Sequence, residues 1–192
     1  MLFRSDSFRY PLAGECAMSM DVAETLRVPS DWGFEIGVLA EVYRRLPAER
    51  ICQVEMSGAY DHKHRDLSPH NSDSGLHRMS VDIARAVYRT LATSGVVLTA
   101  EGFRSLEAAY DRTAVDLVDR YEADAVFNGL AFDRHAEEAA IQVFAGAVVR
   151  AGEEFLEDPL ETSFLPSWSR VRSELPDLPD RLVAAVEADN RT

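Results

Sequence analysis

Gly33-Phe34-Glu35-Ile36-Gly37-Val38-Leu39-Ala40-Glu41-Val42-Tyr43-Arg44-Arg45-Leu46-Pro47 is a loop that turns into a helix. From Glu35 the apolar positions Ile36, Leu39, Ala40, Tyr43 and Leu46 recur at threes and fours, the spacing that lays one greasy stripe along a helix. Pro47, which has no N–H to give, ends it. Upstream, Trp32-Gly33-Phe34 reads as loop, and Met20 to Val28 as a brief helix. Before them, a turn at Pro11-Leu12-Ala13-Gly14 leads into the short extended segment Glu15 to Ser19. Downstream, Ile51, Gln53 and Glu55 alternate with Cys52, Val54 and Met56 in a strand running towards Gly58. The polar stretch from Ala59 to Gly75, dense in His, Asp, Ser and Pro, reads as a loop.

Everything after Gly75 reads as helical until Glu157. Met79, Ile83, Val87 and Leu91 form one stripe; Phe103, Leu106, Tyr110, Ala114, Leu117 and Tyr121 a second; Ala136, Ala140, Val143, Ala147 and Val148 a third. Three such helices need each other, or a partner, to bury their stripes. Glu157 to Pro179 carries Pro159, Pro166, Pro176 and Pro179 and is expected to be mostly irregular, with a last short helix from Arg181 to Ala188. The fold class expected is α+β, mostly helical, with a few short strands and a helical C-terminal region. The chain divides into residues 1–75, which carry the motifs, and an acidic helical region, 76–192.

The 192 residues are 46% apolar and carry a formal charge of −13, from 33 acids against 20 bases. A chain of this length buries ~70% of the surface it exposes when unfolded, so its core needs no staples. The acid excess and the scattered arginines exclude a general nucleic-acid or anionic-membrane binder, both of which need a basic patch. There is no run near the ~20 apolar residues of a spanning helix, and Met-Leu-Phe-Arg-Ser-Asp lacks an apolar signal core, so a cytoplasmic protein is expected. Cys16 and Cys52 form no metal or redox pattern and are expected to be reduced thiols. Residues 1–100 hold 13 acids and 11 bases and residues 101–192 hold 20 and 9, so the two parts carry −2 and −11. Of the 20 bases only Lys63 is a lysine. That composition suits a halophilic protein, and a GC-rich genome trades Lys for Arg as well.

Chemistry concentrates in three places. Four of the five histidines lie between His62 and His77, most tightly in Tyr60-Asp61-His62-Lys63-His64-Arg65-Asp66. In extended backbone His62 and His64 share a side with Tyr60, which suits a divalent metal or an anion; a solvated loop whose histidines bind nothing fits the same spacing. In Asp31-Trp32-Gly33-Phe34-Glu35-Ile36-Gly37, Glu35 opens a helix, where an acid is stabilised by the helix dipole. The flanking glycines admit a close backbone approach that an ordinary helix start does not need. The third place is Pro11-Leu12-Ala13-Gly14-Glu15, which by itself is a turn.

Taken in order, Pro-Leu-Ala-Gly-Glu, then Gly-Phe-Glu-Ile-Gly, then a His-bearing strand end after Gln-Val resemble the C-terminal half of glucosyl-3-phosphoglycerate synthases. Those enzymes, like the mannosyl-3-phosphoglycerate synthases, are retaining GT-A glycosyltransferases with a Rossmann-like α/β sheet. The resemblance is specific over about residues 9 to 95. It implies that Leu12, Ala13 and Gly14 contact the transferred sugar and that Glu35 lies beside sugar and acceptor as the catalytic acid residue. It implies too that His62 joins the shell of a Mg²⁺ or Mn²⁺ ion, and that the neighbouring Tyr60, Lys63, His64 and Arg65 bind the acceptor. The partners implied are a nucleotide-sugar donor, a small anionic acceptor such as 3-phosphoglycerate, and a second copy in a homodimer. The product would be a compatible solute or its precursor.

Two departures stand out. The family's Arg-x-His-Arg-Asn pattern reads Tyr60-Asp61-His62-Lys63-His64 here, so a neutral acceptor is also open. No Asp-x-Asp precedes Pro11, and only ten residues precede that motif, so a separated or truncated second half is expected, completed by an N-terminal half. Two other classes compete: a non-catalytic acidic helical interaction module or inactive fragment, and, last, a metal-dependent hydrolase using His62, His64, Asp61 and Asp66.

Overall fold

A computed structural model describes residues 14–54, 75–160 and 164–190. Helix α1 spans Met20–Thr25, strand β1 Val28–Pro29 and helix α2 Phe34–Arg45, followed by a 3₁₀ turn at Ala48–Arg50. Helices α3 (Gly75–Thr93), α4 (Ala100–Phe127) and α5 (Arg134–Glu157) follow. The chain ends in strand β2 (Phe164–Leu165) and helices α6 (Trp168–Glu174) and α7 (Leu178–Asp189). The described residues are mostly helical with two short strands.

The long helices start where polar caps fix them. Thr99 Oγ1 accepts from the Gly102 N–H at 3.1 Å and Asp133 Oδ1 from the Ala136 N–H at 3.0 Å, each satisfying an N–H that the first turn leaves without a partner. Helix α5 packs against both α3 and α4. Their shared core is aromatic: the Tyr88 ring meets Phe103 edge-on at 4.8 Å and Phe155 at 6.3 Å. Val81, Ala147 and Ala151 close around it with no exposed surface. The Tyr88 hydroxyl donates to the Val148 carbonyl at 3.1 Å, and burial pushes its pKa up to about 12. At Gly152 an added Cβ would stand 2.8 Å from the Phe103 ring, so α4 approaches α5 only because that position has no side chain.

Helix α3 is buried on two adjoining faces. Val81, Arg85 and Tyr88 turn to α5, where Arg85 pairs with Glu154 at 3.0 Å and Arg150 reaches the same carboxylate at 2.8 Å. Asp82 and Ala86 turn to the Asp31–Gly33 loop, and Arg89 to the C-terminal segment. The stripe expected from the sequence, Met79, Ile83, Val87 and Leu91, is only half-buried. Three charged residues, Asp82, Arg85 and Arg89, lie deeper than any of its members. The expected stripe of α4 is corrected further. Phe103 and Tyr110 are partly covered, while Leu106, Leu117 and Tyr121 stand exposed and the buried positions are Val118 and Ala125.

A second cluster, Val22, Leu26, Val28 and Val38 with Val42 and Leu46 against it, joins α1, β1 and α2. The brief helix ends at Thr25 rather than Val28, because Val28-Pro29 is drawn out to pair antiparallel with Phe164-Leu165. A residue before proline favours extended backbone in any case. Nor is the stretch from Glu157 to Pro179 mostly irregular. Arg89 holds it from α3, donating to the Pro159 carbonyl at 3.4 Å and lying 5.5 Å over the Phe164 ring. Arg172 of α6 then pairs with Glu24 of α1 at 2.7 Å. Ile51 to Val54 form no strand, and the rest of that expected strand lies outside the described residues. Cys16 and Cys52 are free and exposed.

Two measurements check this packing. Gly152→Ala drives a methyl into Phe103, and urea unfolding should show a loss of about 1–3 kcal/mol. Asp82 is 2% exposed, and burial, the largest effect on it, raises its pKa from the usual 3.8; the Arg78 charge lowers it and the Asp31 charge raises it. The folded state therefore takes up this proton before the unfolded state does as pH falls. The cost of the ionised group is full above the raised pKa and is relieved as pH drops through it towards 3.8. Asp82→Asn, which mimics the neutral acid, should be more stable than the parent at neutral pH, by a margin that narrows under acid in urea titrations.

Candidate active site around Glu35

The loop before α2 is built from its own side chains. Asp31 Oδ1 accepts the Gly33 N–H at 2.8 Å, closing an Asx turn, and the Asp31 carbonyl accepts the Phe34 N–H at 3.1 Å. Helix α2 then begins without a side-chain cap, with Glu35 in its first turn, where the free N–H groups favour a negative charge. Glu35 is half-buried, between Trp32 and Phe34, each 45% exposed, on the loop side and the buried Gly37 and Val38 on the helix side.

The structure brings one of the expected sugar contacts to it. Gly14 has φ +86°, in the left-handed region that favours glycine, and a Cβ built there would lie 3.7 Å from Glu35 Oε1. Two positions 21 apart in the chain (35 less 14) thus share one small surface, a carboxylate facing bare backbone. Leu12 and Ala13 lie outside the described residues, as do Tyr60, His62, Lys63, His64 and Arg65, together with Asp61 and Asp66.

The glycines flanking Glu35 admit the protein's own chain. A Cβ on Gly33 would meet the Ala86 methyl of α3 at 2.6 Å and the Asp82 carbonyl at 3.2 Å, and one on Gly37 would enter the Pro29 ring of β1. The close approach expected from the sequence is therefore internal at both positions. Beneath the loop lies Asp82, 2% exposed, with its backbone carbonyl against Gly33. Arg78 Nη2 stands 2.9 Å from Asp82 Oδ1, an i,i+4 ion pair along α3. Sequence reading missed Asp82. Its only signal was an acid placed one residue from the apolar Val81 and Ile83 on a helix read as a single stripe.

Among the described residues no three His, Cys, Asp or Glu side chains come together as a metal site. No helix among them is long and apolar enough to cross a membrane.

Comparison with known proteins supplies the context. No protein-family model matches the chain, and no solved structure matches it. It is 43% identical over 185 residues to a glucosyl-3-phosphoglycerate synthase of Persephonella marina, a span that is 96% of this chain and 46% of that protein. To a glucosyl-3-phosphoglycerate synthase of Methanococcoides burtonii it is 41% identical over 184 residues, 95% of this chain and 45% of the relative. The chain spans a little under half the length of these curated relatives. Over nearly its whole length, then, the chain is a homologue of one part of the glucosyl-3-phosphoglycerate synthases.

Proposed function

We propose that the chain is the C-terminal part of a GT-A hexosyltransferase that moves a hexose from a nucleoside diphosphate sugar to a small hydroxy acid such as 3-phosphoglycerate, with retention at the anomeric carbon. The observation that carries this is the apposition of Gly14 and Glu35. The backbone segment read as touching the sugar and the acid read as lying beside sugar and acceptor face each other so closely that a Cβ built on Gly14 would lie 3.7 Å from Glu35 Oε1, in a chain 43% identical over 185 residues to a glucosyl-3-phosphoglycerate synthase.

In this reading the anomeric carbon loses its bond to the diphosphate oxygen and gains one to the acceptor hydroxyl oxygen, and the hydroxyl proton leaves with the departing diphosphate. Glu35 holds sugar hydroxyls and offsets the positive charge that gathers on the anomeric carbon. A carboxylate fixed in advance at a helix start does this without reorganising. Gly14 keeps that space clear, since any side chain there would occupy it. A Mg²⁺ or Mn²⁺ ion would neutralise the diphosphate. His62 is its proposed ligand in this chain, and among the described residues no cluster of His, Cys, Asp or Glu is placed to hold it. Lys63, His64 and Arg65 suit an anionic acceptor because charged donors bind phosphate and carboxylate well. The protein so described works in the cytoplasm on soluble substrates.

Glu35→Gln, in the synthase that contains this chain, should lower kcat about 100-fold while the melting temperature holds. An unchanged kcat would remove Glu35 from the reaction. The 192-residue chain alone should show no micromolar binding of UDP-glucose with Mn²⁺ in calorimetric titration, because the reading places the diphosphate site in the N-terminal half.

A further inference from the structure

Two residues past Glu35, helix α2 runs against a proline. Pro29 of β1 is among the most deeply buried side chains of the described residues, and a Cβ on Gly37 would enter its ring, so ring and helix backbone lie in direct contact. Gly37 sits about 200° round the helix axis from Glu35, on the opposite side of the same turn. Pro29 therefore bears on the back of the turn whose front carries the carboxylate. Gly14 faces that carboxylate from the front, where a Cβ would lie 3.7 Å from Glu35 Oε1. The first turn of α2 is held between the two. What keeps Pro29 in place comes from the far end of the chain. Its Cα partner in the β1–β2 pair is Phe164, and the Arg89 guanidinium of α3 lies 5.5 Å over the Phe164 ring. The pyrrolidine ring fixes its own backbone angle as well, which makes it a stiff support.

We propose that Pro29 is a positioning residue: backed by Phe164 and Arg89, its ring is the stop against which α2 rests, and it sets how far the Glu35 carboxylate stands from Gly14. The inference rests on the transferase reading for its kinetic consequence and on geometry alone for its structural one. Pro29 acts through Gly37. A methyl at position 37 cannot share the space of the ring, so α2 must shift by about 1 Å or more, or the β1–β2 pair must part. Displacements of that order cost reactions of this kind heavily, since the charged group no longer faces the developing charge.

The test is a double-variant cycle. Gly37→Ala pushes α2 off the stop, Pro29→Ala removes the ring, and the double variant carries the methyl with room for it. Gly152→Ala, another glycine with no space for a methyl but set against Phe103 in the other core, is the control for lost stability alone. Urea unfolding of the purified chain reads the contact itself. Gly37→Ala should lower the midpoint in the parent, and in the Pro29→Ala background it should leave the midpoint unchanged or raise it, because a helix prefers alanine to glycine. In the synthase containing the chain, UDP-glucose and 3-phosphoglycerate are the probes, at a temperature where each variant is folded. There kcat should fall about 10-fold or more in Gly37→Ala while both KM values move less than about 2-fold, and the double variant should recover to within about 3-fold of the parent. Gly152→Ala should keep kcat within about 2-fold. Should Gly37→Ala fail to fold, Phe164→Ala takes its place by removing what backs Pro29, with the same division between kcat and KM expected.

An equal drop in midpoint from Gly37→Ala in both backgrounds would overturn the proposal whatever the kinetics. So would a loss carried by KM, or a kcat loss in Gly152→Ala as large as that in Gly37→Ala. A parent synthase without turnover would instead refute the transferase reading, and the urea cycle would still decide whether Pro29 is the stop.

Discussion

Helix α3 has two buried faces, and the rest of the structure depends on its having both. Val81, Arg85 and Tyr88 recur at the spacing of one face and lie against α5; Asp82, Ala86 and Arg89 recur one residue later and lie against the Asp31–Gly33 loop and the C-terminal segment. A helix in that position cannot be amphipathic in the ordinary sense, because over its central turns none of its residues is exposed and its half-buried side carries Ile83 and Val87 rather than charges. Its polar side chains must therefore be matched inside, by Glu154 for Arg85, by the Pro159 carbonyl and the Phe164 ring for Arg89, and by the Arg78 guanidinium for Asp82.

That arrangement links the two hydrophobic clusters. The aromatic core around Tyr88 and the aliphatic cluster around Val38 do not share a residue, and α3 is the element between them. The glycines show how close the contacts run. Gly33 against Ala86, Gly37 against Pro29 and Gly152 against Phe103 are each places where a single methyl has no room. The candidate site sits on this framework as an outgrowth of its tightest part: Glu35 lies between two glycines that pack inward, with Gly14 facing it from outside.

Much of the fold was legible because helix periodicity is local. The spacing of Ile36, Leu39, Tyr43 and Leu46 marked α2 to within a residue at each end, and α3, α4 and α5 lie where their stripes put them. Which side of each helix faces inward was less legible. One stripe per helix assumes one partner, and α3 has several. On α4 the apolar residues outnumber the positions its described neighbours cover, so Leu106, Leu117 and Tyr121 remain exposed. The C-terminal stretch was misread because its prolines were weighed and its distant partners could not be. A two-residue strand has no signature of its own and exists because Val28-Pro29 and Arg89 are there to receive it.

The sequence by itself determined the helical content, the split of charge and the motifs Pro-Leu-Ala-Gly-Glu and Gly-Phe-Glu-Ile-Gly, with the synthase kinship they carry, since each depends on residues near one another along the chain. Only the tertiary structure decided that Gly14 faces Glu35, that the glycines beside Glu35 pack inward, and that Asp82 is buried beneath the Glu35 loop. These contacts join positions as near as Pro29 and Gly37 and as far apart as Gly33 and Ala86. They are set by how closely backbones can approach and by where a charge can be matched once water is gone, and neither quantity is written in local spacing.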